Sequence, residues 1–415
     1  MKVLIAHNAY QLGGGEDVVV EAEGELLRGH GHQVEVYRRH NDELKSMPRA
    51  LAAASAIWSR RSATEIARRC DVLRPDVIHV HNTFPLISPS ILWVAHRRGI
   101  PVVQTLHNFR LLCPQAMFLR DGKVCEDCLG KLPWRAVARR CYRGSTLQSA
   151  VAGGALAIHR ALGTYRQRVT RYIAPNRFCR DKFAEGGLPA ERIRVKPHFV
   201  RSGRHPVWEG RRGGMFVGRL SPEKGLGVLI DAVAELGTST IRIVGEGPLE
   251  PSVRAVFRNE YLGVRSRDEV LKLLGTARFL VAPSTSYETF GLAPVEAFAC
   301  GTPVIASRQG AFAELVEQGI SGLLFTPGDA GDLAAKITWA ERHPEEMLKM
   351  GRAARLAYEA KYTPERNYGL LIQIYEDAIQ ELAGIRASTR AGRRGDWPRR
   401  PPALSATARR RWAGQ

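Results

Sequence analysis

Short apolar runs and longer amphipathic stretches alternate through the first half of the chain. The runs are rich in β-branched residues, which favours strands, and the stretches between them repeat their apolar residues at helical spacing. Alternation of this kind is typical of βαβ units built around a parallel sheet. The predicted strands of this half are 2–6, 33–37, 76–80, 101–106 and 172–174.

The same alternation restarts after a segment rich in Arg and Gly at 201–214. The restart predicts a second doubly wound α/β domain. Its predicted strands are 215–218, 241–244, 261–264, 279–282, 303–306 and 322–325. We therefore expect an N-terminal domain over 1–200 and a C-terminal domain over 201–363.

The C-terminal segment divides into a helix and a tail. Apolar residues at alternating spacings of four and three predict a helix over 364–385 with one apolar face. Residues 386–415 show no apolar periodicity and carry nine Arg against one Asp, so we expect a disordered basic tail. The predicted apolar face of the helix comprises Tyr368, Ile372, Tyr375, Ile379 and Leu382.

Positive charge is concentrated in two places. Lys and Arg number 61 against 41 acidic residues, for a net charge of +20. The stretch 128–180 contributes eleven of these cations with no acid, and the tail supplies most of the remaining excess. Such a field attracts phosphate groups, either of nucleic acid or of an anionic membrane. We expect 128–180 and 386–415 to meet an anionic membrane surface, and we expect no specific nucleic acid partner.

The N-terminal apolar run is interrupted by His7, which makes it too short for a signal peptide. No window approaches 18 uninterrupted apolar residues, so we expect a cytoplasmic protein, with peripheral attachment to the inner face of the membrane as an extension of that interpretation. One apolar stripe fits either a helix packed on the sheet or a helix facing the membrane. It comprises Leu147, Val151, Ile158, Leu162, Tyr165 and Val169.

The segment 284–303 holds two acids, Glu288 and Glu296, eight residues apart. Pro294 suits the first turn of a helix, because an amide is unpaired at that place in any case. The backbone amides of 290–292 then face outward at a helix N-terminus, where they and the helix dipole favour a diphosphate. Glu296, in the first turn, can accept hydrogen bonds from two vicinal hydroxyls. Solvated acids at a helix start are the alternative interpretation.

A second motif, 218–225, reads Gly-Arg-Leu-Ser-Pro-Glu-Lys-Gly and follows a predicted strand. Ser-Pro-Glu is typical of a helix start, and it places Arg219 and Lys224 together at the mouth of a cleft. A guanidinium group and an ammonium group there would neutralise a diphosphate, including the negative charge that develops on it as a leaving group. Two solvated cations at a helix start are the alternative.

Together these motifs resemble those of the nucleotide-sugar-dependent retaining glycosyltransferases of the family-4 type. The resemblance extends over 1–383 and implies the GT-B fold, in which two facing Rossmann-like domains enclose a cleft and a last helix crosses back to the N-terminal domain. It also implies transfer of a hexose from a UDP- or GDP-linked sugar to a glycan or lipid-linked acceptor, in cell-surface polysaccharide or glycolipid synthesis. No cofactor is implied for the transfer itself.

The resemblance also assigns roles to residues. Glu288 lies beside the donor sugar, Glu296 holds the ribose hydroxyls, and the two cations contact the diphosphate. His107 hydrogen-bonds a sugar hydroxyl or the acceptor, whereas Asn108 stands where members of the family often carry Asp, so no acidic role is carried over to it. The expected catalytic residues are His107, Arg219, Lys224 and Glu288, and the expected donor-binding residues are Gly14, Gly15, Arg219, Lys224, Glu288, Phe290, Gly291, Leu292 and Glu296.

Two groups of residues are candidate metal ligands. His79 and His81 point to the same face of a strand, although histidines of the core or the cleft wall are the favoured interpretation. Four cysteines that include a Cys-x-x-Cys pair have the ligand count of a structural zinc site, and free thiols remain the alternative. These cysteines are Cys113, Cys125, Cys128 and Cys141.

Two other functions compete with sugar transfer. A GT-B epimerase acting on nucleotide sugars would need general acids and bases around the sugar, and the sequence does not point to them. A nucleic-acid-binding protein is suggested by the charge, but the basic tail offers Trp397 and Trp412 as its stacking aromatics and contains no recognised reading module.

Overall fold

The computed structural model describes residues 1–11, 13–203, 205–237 and 240–395, with side chains as far as Gly384. Two six-stranded parallel sheets dominate this part of the chain, one in each half. The α/β fold class with two doubly wound domains is therefore confirmed. The expected boundary at 200 and 201 falls in the segment between the two sheets.

The first strand of the N-terminal sheet lies second from one edge. The six strands of this sheet are β1 (Lys2–Ala9), β2 (Gln33–His40), β3 (Val77–Asn82), β4 (Val102–Thr105), β7 (Arg171–Ala174) and β8 (Ile193–Val195). Between β4 and β7 the chain forms a separate hairpin of β5 (Leu119–Arg120) and β6 (Lys123–Val124). The order in the six-stranded sheet is β2-β1-β3-β4-β7-β8, and all its pairs are parallel. β3 is buried along its whole length, as expected for a parallel strand covered on both faces.

Helices pack on both faces of this sheet. They are α1 (Gly15–Gly29), α2 (Arg49–Ile57), α3 (Arg60–Leu73), α4 (Ser90–Arg98), α5 (Trp134–Ala138), α6 (Thr146–Ala161), α7 (Thr164–Gln167) and α8 (Arg177–Glu185). α1 begins at Gly15, the last residue of the Gly13-Gly14-Gly15 run, and Asp17 accepts a hydrogen bond from the Gly14 amide at 2.9 Å. This capping contact holds the glycine loop at the carboxyl edge of β1.

The C-terminal sheet is built in the same way from β9 (Gly214–Val217), β10 (Arg242–Val244), β11 (Tyr261–Gly263), β12 (Phe279–Ala282), β13 (Val304–Ser307) and β14 (Gly322–Phe325). Its order is β11-β10-β9-β12-β13-β14, the order of a Rossmann domain. The chain direction across the sheet reverses between β9 and β12. Ligands of open α/β sheets bind at such a switch point, outside the carboxyl ends of the strands.

The C-terminal helices are α9 (Leu226–Leu236), α10 (Glu250–Phe257), α11 (Arg267–Thr276), α12 (Leu292–Ala299), α13 (Gly310–Leu315), α14 (Ala330–Arg342), α15 (Pro344–Lys361) and α16 (Pro364–Gly395). α16 crosses back and packs on the N-terminal sheet, as the GT-B resemblance implies. Its residues Leu371, Ile374, Tyr375 and Ala378 are buried against Val3, Ile5, Leu27, Val77 and Val103.

Two details of this helix differ from the sequence prediction. The buried face is rotated, so Ile379 and Leu382 lie at its edge while Leu371, Ile374 and Ala378 form the centre. The helix also runs to Gly395, beyond the predicted end at 385, because the Ala- and Arg-rich segment contains no proline before Pro398. The rest of the predicted tail, 396–415, lies outside the described residues.

All eleven predicted strands are present, and their ends differ by a few residues at most. β8 and the β5–β6 hairpin were not predicted. β8 has three residues and the hairpin strands have two each, which is too short for a period-2 pattern to be recognised.

Candidate active site

The carboxyl ends of the two sheets face each other across a cleft between the domains. Gly13–Gly15 follow β1 and His107 follows β4 on one wall, while Arg219 follows β9 and Glu288 follows β12 on the other. The C-terminal residues thus lie at the switch point of their sheet. The arrangement gathers in one cleft every residue that the sequence analysis assigned to the donor.

The glycine loop approaches the opposite wall closely. A Cβ atom built on Gly15 would lie 3.2 Å from Leu292 Cδ1, and one built on Gly14 would lie 3.9 Å from Arg219 Nη2. Larger residues would fill the narrow space above the cations and the start of α12. The loop therefore forms one side of a slot whose other side is basic.

The floor of the slot is the N-terminus of α12. Gly291 is its N-cap residue at φ 87°, and a Cβ there would lie 2.4 Å from Phe312 Cε1. Because glycine has no side chain that could cap the helix, the first amides of α12 are left to meet a ligand from the cleft. Phe290 is buried beside them, with its ring edge-on to that of His198 at 4.9 Å between centroids.

Glu288 lies in the slot as an ionised carboxylate. Lys224 Nζ donates to its Oε1 at 2.7 Å, and Ser284 Oγ donates to the same oxygen at 2.7 Å. Burial opposes ionisation, but the Lys224 charge and the two hydrogen bonds outweigh it, so the pKa of Glu288 lies below its usual value. Lys224 belongs to the short 3₁₀ turn Pro222–Lys224, which the Ser-Pro-Glu sequence starts as expected.

Glu296 lies further along α12 and has no such compensation. It is the fifth residue of the helix, so it stands in the second turn rather than the predicted first. Burial raises its pKa, and Arg267, 3.6 Å from Oε1, offsets this in part. A buried carboxylate with few local donors is suited to accept hydrogen bonds from ligand hydroxyls.

His107 is held from behind by other histidines. Its Nε2 forms a hydrogen bond with His81 Nδ1 at 2.8 Å, and His198 stacks on its ring at 5.1 Å between centroids. Burial, followed by the neighbouring His198, lowers the pKa of His107 well below its usual value. His107 is therefore neutral at physiological pH.

The layer behind these histidines is a buried ionic network. Lys196 Nζ donates to Glu23 Oε1 at 2.6 Å and to Asn367 Oδ1 of α16 at 3.2 Å. His79 forms hydrogen bonds with Tyr375 of α16 at 2.7 Å and with Thr105 at 2.8 Å. The network connects the cleft histidines to the crossing helix.

This network also contains a geometrical candidate for a metal site. Ligand atoms of Glu23, His79 and His81 lie within 4.8 Å of one another. Both nitrogens of His79 are already hydrogen-bonded, and the Lys196 ammonium group occupies the cationic position next to Glu23. The observed partners favour the interpretation of core and cleft-wall histidines over a bound ion.

The sequence analysis missed Glu16 in the cleft and gave its neighbour Asn108 no role. Asn108 Nδ2 donates to Glu16 Oε1 at 2.6 Å, and Glu16 Oε2 is buried without a hydrogen-bond partner among the described residues. Burial raises the pKa of Glu16, although the Asn108 hydrogen bond works against the shift. The acid that is lacking at position 108 is thus present next to it, on the first turn of α1. Its position directly after three glycines was a signal that could have identified it.

The helix α6, within the basic stretch, turns an apolar face outward. Leu147 and Ile158, eleven residues and therefore about three turns apart, are exposed on the same side of α6. The buried face instead includes Ala152, Ala155 and Leu156. Of the predicted stripe, Tyr165 and Val169 are buried in the core, so the stripe divides between the two interpretations.

None of the helices among the described residues is long and apolar enough to span a bilayer.

Two Rossmann-like domains whose sheet edges meet across a cleft, with a last helix returning to the first domain, define the GT-B class of fold. Comparison with known proteins agrees with this assignment. Residues 12–204 match the model of Glycosyltransferase Family 4, and residues 211–342 match the model of Glycosyl transferases group 1. The chain belongs to this family of glycosyltransferases, which confirms the resemblance drawn from its motifs.

Individual relatives are distant. The uncharacterized glycosyltransferase MJ1178 of Methanocaldococcus jannaschii is 34% identical over 40% of this chain and 48% of its own length. The 2-deoxystreptamine glucosyltransferase of Streptomyces kanamyceticus is 28% identical over 83% of this chain and 89% of its own. The chain thus spans about half of the first relative and most of the second.

Solved structures share the fold. The structure of Anabaena Alr3699/HepE in complex with UDP-glucose has a TM-score of 0.62 and 19% identity, covering 92% of this chain and 100% of that one. A glycosyltransferase from Rickettsia africae has a TM-score of 0.65 and 16% identity, over 91% and 98% of the two chains. At this level of identity the similarity concerns the fold alone.

Proposed function

We propose that the protein transfers a hexose from a nucleoside diphosphate sugar to a hydroxyl acceptor, with retention of the anomeric configuration. The observation that carries the proposal is the slot in which Arg219, Lys224 and the start of α12 face the glycine loop. A diphosphate matches its charge and its backbone donors. Relatives named as glucosyl and mannosyl transferases support a hexose as the transferred group.

In this proposal the protein stabilises the departing diphosphate. The cations and the helix amides receive the charge that develops as the glycosidic bond to phosphate breaks. Glu296 accepts hydrogen bonds from the ribose hydroxyls, and Glu288, fixed by Lys224, orients the sugar. The acceptor hydroxyl attacks the anomeric carbon from the side of the leaving group, and a phosphate oxygen takes its proton. No metal or cofactor takes part in this transfer.

The neutral His107 contributes a hydrogen bond to the sugar or the acceptor. Its other ring nitrogen is fixed by His81, so its orientation is set before the ligand arrives. The Glu16 carboxyl lies beside Asn108 on the same wall. We assign Glu16 and Asn108 to the acceptor side of the cleft.

A thermal-shift screen with UDP, GDP, ADP, the corresponding nucleoside monophosphates and the common sugar conjugates tests the donor site. A ligand at about 100 times its dissociation constant stabilises the fold by about 2.7 kcal/mol, which is a clear shift. The proposal requires a shift with one base and a further difference between nucleoside monophosphate and diphosphate. No shift with any compound in a folded sample would contradict it.

Product analysis distinguishes transfer from epimerisation. A transferase incubated with its donor alone leaves the configuration of the sugar unchanged. When a glycan or lipid-linked acceptor is added, transfer of the sugar releases nucleoside diphosphate. An epimerase would convert the donor without any acceptor.

The acceptor is proposed to be presented at an anionic membrane in cell-surface polysaccharide or glycolipid synthesis. An exposed apolar patch on α5, α6 and the residues beside them supports this. Its members Leu132, Trp134 and Leu147 are exposed to 69%, 64% and 68%. The exposed Arg139, Arg140 and Arg143 lie beside it and attract anionic headgroups.

Vesicle sedimentation tests this surface. We expect the full chain to bind vesicles that contain phosphatidylglycerol, to bind pure phosphatidylcholine weakly, and to be released by salt. The double variant Trp134→Ser and Leu147→Ser should lose most of the binding. Leu356→Ser, an equally exposed leucine on the C-terminal domain, is the matched control. Equal vesicle binding by both variants would rule out this apolar patch as the membrane-binding surface.

A further inference from the structure

A small cavity in the N-terminal domain adjoins the donor cleft. Its volume is about 50 Å³. A group of the size of a water molecule needs about 10–15 Å³, so the cavity has room for several such groups. His107 and Asn108 line both the cavity and the cleft. The two spaces therefore meet at the wall to which we have assigned the acceptor.

The floor of the cavity is one face of β4. Successive side chains of a strand point to opposite faces of its sheet. Val103 lies in the core beneath α16, whereas Val102 and Leu106 belong to the core on the other face of the sheet. Gln104, two residues from each of them, points to that second face and lines the cavity.

Gln104 brings an unpaired polar atom to this cavity. The residue is 6% exposed, and its Oε1 atom has no hydrogen-bond partner among the described residues. Burying an amide oxygen without a partner costs free energy, so the large majority of such atoms in proteins are paired. An apolar side chain at this position would pack with Val102 and Leu106 without that cost. The unpaired oxygen therefore indicates a hydrogen-bond donor that enters with a ligand.

The helical walls of the cavity are apolar and consist mostly of small side chains. Leu156 of α6 lines the cavity together with three alanines of α2 and α6, and all four residues are buried. Alanine side chains leave open the space that larger residues would fill. The alanines are Ala56, Ala152 and Ala155. A ligand group here thus meets carbon atoms on its sides and the Gln104 amide at the floor.

The remaining wall is the start of the long connection between β4 and α6. It meets the cavity through Arg110, the charged residue of the lining, whose guanidinium group is already engaged. Nη1 donates to Pro114 O at 2.6 Å, and the group lies 4.5 Å from the centroid of the Phe84 ring. An uncharged ligand group therefore suits the cavity better than an anion. Further along, the connection carries the four cysteines considered as zinc ligands, which are free and, among the described residues, do not form a group of three sulfurs within 4.8 Å: Cys113, Cys125, Cys128 and Cys141.

We propose that this cavity is an acceptor subsite that receives the hydroxymethyl group of an uncharged sugar ring, with Gln104 as the residue that selects it. The inference rests on the proposed transferase function and names the class of its acceptor. The hydroxyl group donates to Gln104 Oε1, and the methylene group packs against Leu106 and Leu156. The ring stays at the mouth of the cavity, beside His107 and Asn108. A 6-deoxy sugar would leave Gln104 unpaired, and a site of this kind discriminates against an analogue that lacks the hydroxyl.

Saturation-transfer NMR of the full chain tests the subsite without requiring transfer. The probes are methyl glycosides of glucose, galactose and mannose, each paired with its 6-deoxy counterpart. We expect one hydroxymethyl sugar to bind about tenfold more tightly than its 6-deoxy partner, because the partner leaves a buried oxygen unpaired. The C6 protons of that sugar should receive the strongest saturation. Equal binding within every pair, or no binding by any probe, would overturn the proposal.

The variant Gln104→Leu should remove the discrimination within that pair by weakening the binding of the hydroxymethyl sugar alone. Leucine has a similar shape and removes an unpaired buried oxygen, so we expect this variant to fold. Ala155→Val, which fills part of the cavity, should weaken the binding of both sugars, whereas the same change at the exposed Ala150 of α6 should weaken neither. Discrimination that persists in Gln104→Leu would show that the sugar is held elsewhere and would reject the proposal.

The thermal-shift screen with nucleoside diphosphates distinguishes the failure of this subsite from the failure of the proposed function. A shift without sugar discrimination would overturn the subsite and leave the proposed function intact. Discrimination without any shift would contradict the proposed function, and with it the role of this cavity in binding an acceptor.

Discussion

Individual carboxylates in the cleft differ in charge state because their neighbours differ. Glu288 has a cation and a hydroxyl at 2.7 Å and stays ionised, whereas Glu16 has an amide donor on one oxygen and, among the described residues, no hydrogen-bond partner on the other. Glu288 was found from the sequence because it belongs to a motif of adjacent residues. The contact of Glu16 with Asn108 joins positions 92 residues apart, so it depends on tertiary structure and no local pattern contains it.

The variant Glu16→Gln should be more stable than the wild type at about pH 7. The pKa of Glu16 is raised in the folded state, so folding opposes its ionisation, and stability is lost as the pH rises above the usual glutamate value. Glutamine removes that loss. In thermal melts, the melting temperature of the variant should therefore exceed that of the wild type at about pH 7. This difference should disappear at about pH 4, where both side chains are neutral. The control variant Glu21→Gln, at an exposed position on the same helix, should melt at the same temperature as the wild type at both pH values.

The variant Glu296→Ala should weaken donor binding much more than it changes the melting temperature. Its proposed hydrogen bonds to the ribose are worth about 1.5–3 kcal/mol each, or at least a tenfold loss of affinity. Its buried charge does not favour folding, because burial raises its pKa. Isothermal titration with the nucleoside diphosphate identified by the screen measures the effect, with Glu345→Ala as the control. Unchanged affinity would remove the ribose assignment.

The variant Arg219→Ala should reduce turnover by about a hundred- to a thousandfold if this residue stabilises leaving-group charge. It should also bring the affinities for nucleoside monophosphate and diphosphate closer together, since it removes a phosphate partner. Arg254→Ala, on the exposed face of α10, is the matched control. A full rate in the Arg219 variant would contradict its proposed role.

Secondary structure elements were predicted well where a pattern repeats over several residues. The eleven predicted strands have buried runs that alternate with helices, and that signal is local. The orientation of α16 is a different matter. Its helical spacing was evident, but which side faces the N-terminal sheet depends on the strands it covers, so Leu371 and Ile374 rather than Leu382 form the buried centre.

The buried pair Lys196–Glu23 fastens α16 and α1 to the sheet through Asn367. Lys196→Met should destabilise the protein by about 3–5 kcal/mol, because it leaves the Glu23 carboxylate buried without its partner. The double variant Lys196→Met and Glu23→Leu should recover much of that loss. Urea unfolding of the three proteins measures it. A double variant as unstable as Lys196→Met would show that the charge pair is not the cause.

At the scale of the whole molecule, contacts between the domains hold the two walls of the cleft together. Thr289 Oγ1 donates to His107 O at 2.7 Å, and Asn176 Nδ2 donates to Thr289 O at 2.6 Å. Glu314 of α13 accepts from the amides of Arg177 and Phe178 at 3.1 and 2.9 Å, so it caps a helix of the other domain. The first of these contacts joins positions 182 residues apart, and the relative placement of the domains was therefore not predictable from local sequence.

The variant Glu314→Ala should favour an open cleft. Hydrogen bonds to a charged group contribute about 1.5–3 kcal/mol, so we expect at least a tenfold weaker apparent donor affinity without any change in the donor pocket. Small-angle scattering should show a larger radius of gyration that saturating donor restores. Glu317→Ala, a nearby exposed acid, should behave as the wild type. An unchanged radius and affinity would show that this cap does not hold the domains together.

The return of α16 to the first domain affects how the chain folds while it is being synthesised. Val3, Ile5 and Leu27 leave the ribosome long before the side chains of α16 that cover them, up to Ala378. Until then this apolar face is open to water and to other nascent chains. Although an earlier domain usually folds first during translation, this one completes its core only after the C-terminal sheet and then α16 have emerged.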